Sequence, residues 1–76
     1  MTEVEFLDEL SANLRDALSD SGLSASEVAA EIDVDKSTVS RYLNGVSMPT
    51  VKNLVNIVHV LGCDINEIIM VDELIE

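Results

Sequence analysis

The stretch 24–45, SASEVAAEIDVDKSTVSRYLNG, constrains the fold of this chain more than any other. Ser24 followed by Glu27 is a helix start, because the serine oxygen and the glutamate carboxylate can each take up a backbone N–H that the first turn leaves free. Asp35 is placed to cap a second helix beginning at Lys36. Val28, Ala29 and Ile32 on one helix and Val39, Tyr42 and Leu43 on the other recur at helical spacing. Two short helices must therefore meet across a turn of three or four residues. Ala29 is small where their backbones approach closely. Asp33 falls where the first helix has to end with positive φ, which Asp tolerates better than most residues but less well than Gly. Val34 is expected to plug the turn into the core.

The remaining chain supplies helices around this pair. Thr2 with Glu5 is a capping box for a first helix, along which Val4, Leu7, Leu10, Leu14, Ala17 and Leu18 repeat at spacings of three and four. It is expected to run to about Ser19 and to stop before Gly22, with Glu3, Glu5, Asp8, Glu9 and Asp16 as a solvated outer face. After a loop at 45–49, Thr50 caps a fourth helix with a broad apolar face of Val51, Leu54, Val55, Val58 and Leu61. Lys52, Asn56 and His59 make its polar stripe. Asp64 with Glu67 opens a fifth helix through Ile65, Ile68 and Ile69. The expectation is an all-α, compact five-helix fold forming one domain over residues 1–76, with the helix pair at about 24–44. In the tail 70–76, Leu74 and Ile75 either cover the domain's own core or form a dimer interface with a second subunit.

The helix pair, with Gly22-Leu23-Ser24 before it, Asn44-Gly45 after it, Pro49 in the following loop and Leu61-Gly62 closing the next helix, resembles the helix-turn-helix of the lambda repressor and Cro type, also called the xenobiotic-response-element family. The resemblance covers roughly residues 10–69 and implies double-stranded DNA as the partner. Two departures stand out. Many members pair an Arg late in the first helix with a Glu just before the Asn-Gly; here those positions are Leu18 and Leu43, so an apolar contact is expected instead. The family usually places a DNA-contacting Gln at the start of the second helix, where this chain has Ala25 beside Ser26.

Charge is the main objection to a DNA partner, since Lys and Arg neutralising phosphates supply much of such affinity and this chain carries a net charge of -11. Its distribution softens the objection. Residues 1–35 hold ten acids and Arg15, residues 64–76 hold five acids, and residues 36–63 hold Lys36, Arg41 and Lys52 with no acid at all. The positive segment is the one that contains the second helix of the pair. An acidic N-terminus and no long apolar run argue against a secretory signal and a membrane span, so a cytoplasmic location is expected. The single Cys63 cannot make an internal disulfide.

By the resemblance, the helix beginning at Lys36 enters a major groove. Lys36, Ser37, Ser40, Arg41 and Asn44 then share its outer face and are the base-reading candidates. Arg41 is the first choice because a guanidinium can bond two acceptors of guanine at once; its bland reading is a surface Arg paired with an acid. Thr38 at the helix start either reaches phosphate or serves only the backbone. Ser47, Thr50 and Lys52, with free N–H groups at the starts of the second and fourth helices, are the phosphate candidates, and Ser26 is the substitute for the missing Gln. No zinc spacing, Gly-rich phosphate loop or nucleophile–base pair is present, so no enzyme, metal or cofactor is expected; Cys63 reads as a packed thiol.

The expected function is sequence-specific DNA binding by a small homodimeric transcriptional repressor that occludes a promoter, with two recognition helices about 34 Å apart. So few cations per copy make dimerisation mechanistically necessary. The alternative is a protein-interaction module, antitoxin-like, anti-repressor or assembly-related, on the same fold with DNA binding lost; the acidic surface and apolar tail suit it.

Overall fold

The computed structural model describes residues 2–69, which form α1 (Glu3–Ser21), α2 (Ala25–Glu31), α3 (Lys36–Leu43), α4 (Val51–Leu61) and α5 (Ile65–Ile68). The described residues are all-helical, as expected, and the expected dimer residues Leu74 and Ile75 lie outside them. α1 packs against α3, α4 and α5, and α2 against α3 and α4. Leu10 and Leu14 of α1, Val28, Tyr42, Ile57 and Ile68 form the centre of the core they share.

The caps explain where each helix begins. Ser24 and Glu27 form the full reciprocal box at α2, Oγ taking the Glu27 N–H and the carboxylate taking the Ser24 N–H, both at 3.1 Å. At α1 the Thr2 oxygen takes the Glu5 N–H at 3.2 Å, but its hydroxyl donates to the Glu5 carboxylate instead of leaving that carboxylate for the backbone. Asp35 is the N-cap of α3 without any side-chain bond; its carbonyl alone starts the helix, accepting from Thr38 and Val39. Asp64 caps α5 by accepting from Asn66, not Glu67, at 2.9 Å. α1 runs past Ser19 to Ser21 because Ser21 Oγ bonds back to the Leu18 carbonyl and forward to the Leu23 N–H, and Gly22 then ends the helix at φ 76°.

The turn between α2 and α3 is closed as the sequence requires. Asp33 adopts φ 59°, its N–H donates to the Ala30 carbonyl, and the Val34 N–H reaches the Ala29 carbonyl at 3.0 Å. This pair of bonds is the Schellman ending, which uses the last orphan carbonyls of the helix. Val28 and Ala29 are buried, which lets the two helices approach closely. Val34 is half-buried and sits outside the side chains packed on the central cluster, so it covers the turn rather than plugging the core.

Three expected core residues are on the surface: Val4, Val51 and Val55. Helical spacing finds an apolar stripe but not its width or its ends. Val4 lies in the first turn of α1, before that helix reaches its neighbours, and the buried arc of α4 is centred on Leu54, Ile57 and Val58. Phe6 and Ile57 contribute to the core where the stripe was drawn without them.

Candidate nucleic-acid interface

α3 has eight residues and so a length of about 12 Å, with a girth that matches the major groove of B-DNA. Val39 and Tyr42 bury its inner face. On the opposite side Lys36, Ser37, Arg41 and Asn44 are exposed, while Ser40 and Thr38 are half-buried. The five base-reading candidates therefore sit together on one end-to-end strip. Asn44 Nδ2 donates to Ser40 Oγ at 3.3 Å, which fixes both side chains and leaves the serine hydroxyl hydrogen and the amide oxygen available. Among the described residues no hydrogen bond or ion pair engages the side chain of Lys36, Arg41 or Lys52, so the paired-Arg reading of Arg41 finds no acid there.

The C-terminal end of α3 is held from two sides. Arg15 Nη1 of α1 donates to the Leu43 carbonyl, satisfying an orphan acceptor at the negative end of the helix. One turn earlier on α1, buried Ser11 lies against Gly45, where an added Cβ would come within 3.2 Å of Ser11 Oγ. From the other side, Asn53 Nδ2 of α4 donates to the Tyr42 hydroxyl at 2.9 Å. Leu18 and Leu43 line the same small apolar cavity with Leu14, Val39 and Tyr42. Arg15 and Asn53 were not legible as site residues: each acts on a partner far along the chain, and neither has a local spacing signal.

The phosphate candidates divide. Thr50 accepts the Asn53 N–H at 3.1 Å, which leaves its own hydrogen free to donate, and the first turn of α4 contains Lys52 and no acid. A helix start of this kind favours an anion. At α2 the capping carboxylate of Glu27 already occupies that position, so a phosphate beside exposed Ser26 would meet a like charge. Ser47 is half-buried, its N–H turned to the Arg41 carbonyl.

Cys63 is half-buried on the core, its thiol directed at the Val58 carbonyl. Burial, then the Glu67 carboxylate and more weakly Asp64, push that thiol above its ordinary range, against a smaller opposing pull from a backbone hydrogen bond. Such a thiol stays protonated at neutral pH. Among the described residues no group of three His, Cys, Asp or Glu is placed to hold a metal ion, and no helix is long and apolar enough to cross a membrane.

A family model described as helix-turn-helix matches residues 14–68, spanning α2 to α5 and the last part of α1. Comparison with curated proteins and with solved structures gives no match.

Proposed function

Because the chain belongs to the lambda repressor- and Cro-like helix-turn-helix family, we propose that it binds specific sites on double-stranded DNA as a small dimeric repressor in the cytoplasm. The observation that carries this reading is the outer face of α3: the Arg41 and Lys36 side chains are exposed and unengaged among the described residues, on a helix whose end is held by Arg15 and Asn53. Arg41 reads guanine through its paired donors, with Ser37, Ser40 and Asn44 bonding neighbouring base edges. Thr50 and Lys52 at the start of α4 take the adjacent phosphate, fixing register without reading sequence; Ser47 and Thr38 assist, and Ser26 contributes least. Repression follows from occupancy, since a promoter covered by two copies is closed to polymerase. The acid-free segment 36–63 faces the duplex, and the fifteen acids elsewhere repel it in every other orientation.

The test is an amide chemical-shift titration with a random-sequence duplex at low salt. Shifts confined to residues 36–52 are expected. Shifts spread over α1, or none at a large excess of duplex, would move the function to a protein partner.

A further inference from the structure

α3 and α4 carry the two halves of the proposed interface, and both are held chiefly by the same neighbours: each packs on α1 and α2. Among the described residues one hydrogen bond joins them directly, from Asn53 Nδ2 in the first turn of α4 to the Tyr42 hydroxyl of α3 at 2.9 Å. Neither helix needs this bond for its own formation. Tyr42 is 6 % exposed, its ring packed in the core with Leu14 and Val28, a place that a Phe ring would fill. Asn53 is half-buried, and the cap of α4 uses only its backbone N–H, which donates to Thr50 Oγ1 at 3.1 Å. Its side-chain amide is free for another task, and a hydroxyl at the edge of the core needs a partner. The bond therefore runs from the residue beside Arg41 to the turn that contains Lys52 and follows Thr50.

We infer that Asn53 is a positioning residue for sequence reading: through Tyr42 it sets the rotation of α3 about its own axis relative to the first turn of α4. This deepens the DNA-binding reading above and rests on it. Successive side chains on a helix stand about 100° apart. Pinning the tip of Tyr42 on the inner face therefore fixes where Arg41 points on the outer one. With its side chains a helix has a radius of about 5–6 Å, so a rotation of about 10° shifts its outer face by about 1 Å. A shift of that size breaks the paired bonds between a guanidinium and guanine, whose geometry is narrow. It leaves the attraction between a flexible cation such as Lys52 and a phosphate nearly unchanged. Asn53 thus contributes to discrimination between sequences and not to general affinity for duplex.

The test uses a duplex that the wild type recovers from a random pool and a scrambled duplex of the same length. Affinity for both is measured across a salt range for the wild type, Tyr42→Phe, Asn53→Ala and the double variant. Each single variant is expected to bind the recovered duplex about fivefold more weakly, the effect of one hydrogen bond. Affinity for the scrambled duplex and its salt slope should be unchanged. The double variant should lose no more than either single one, because all three remove the same bond. A merely structural role would lower the thermal melt and weaken both duplexes together, and that result overturns the inference. Undiminished discrimination in either single variant overturns it too, as do losses that add in the double. A wild type that recovers no duplex, or holds both alike, overturns the DNA-binding reading and this inference with it. A wild type that discriminates beside variants that discriminate equally well removes the role of Asn53 alone.

Discussion

The Arg15 guanidinium on α1 donates a hydrogen bond to the main-chain carbonyl of Leu43, the last helical residue of α3. The bond joins the acidic outer helix to the end of the proposed recognition helix. Because Arg15 is exposed, its stabilising effect is modest. Arg15→Met is expected to cost about 0.5–1 kcal/mol in denaturant unfolding. The sharper readout is local: amide exchange at residues 44–46 should rise more than exchange in α2. Equal changes in both would mean that the bond stabilises the fold without fixing α3.

Gly45 answers two demands at once, a φ of 69° and the close approach of Ser11 Oγ. Gly22 has φ 76° with no atom near an added Cβ, and so isolates the backbone term. Gly22→Ala is expected to cost about 1 kcal/mol, and Gly45→Ala about 1 kcal/mol more. Ser11→Ala in the Gly45→Ala background, which removes the crowding Oγ and keeps a good helix former in α1, should recover part of the difference. Equal costs at the two glycines would remove the close contact from the account.

Asp33 holds the left-handed position of the helix-turn-helix with a side chain that disfavours it. Asp33→Gly is expected to raise stability by about 0.5–1 kcal/mol. Asp33→Asn, which removes the charge and keeps the side chain, should give a smaller change. A destabilised Asp33→Gly chain would mean that the carboxylate contributes something the backbone geometry does not require.

The Cys63 thiol is raised by burial first and by Glu67 and Asp64 second. A raised folded value means that the folded chain holds the thiol proton more tightly than the unfolded one. The resulting stability is complete below the ordinary thiol range near 8.5 and is lost as pH rises through the folded value. The melting temperature should fall on raising pH beyond that range, and Cys63→Ala should flatten this part of the profile. Alkylation at neutral pH should be slower than for a free thiol and should quicken with partial unfolding.

Helix existence was largely legible in the sequence because caps and apolar periods are local. Ser24 with Glu27, positive φ at Asp33 and the Thr50 cap all follow from residues within one turn of each other. Val4, Val51 and Val55 were misplaced because a period reveals a face and not how far a neighbouring helix extends over it. The candidate site was legible as a face, since Lys36, Ser37, Ser40, Arg41 and Asn44 share one side of a short helix. What holds that face was not. Arg15 to Leu43 and Asn53 to Tyr42 join residues that only the tertiary packing brings together. The Leu18 and Leu43 pairing was recoverable from the family resemblance, and both side chains line one cavity.

The central claim is that α3 reads DNA sequence through Arg41. The most direct measurement is selection from a random duplex pool at low salt, sequencing what the wild type retains beside Arg41→Ala. The account predicts a two-fold symmetric motif for the wild type and a motif relaxed at its guanine positions for the variant, a discrimination of about 1–3 kcal/mol per contacted base pair. Enrichment of nothing above background by the wild type, or an identical motif for both proteins, would contradict it.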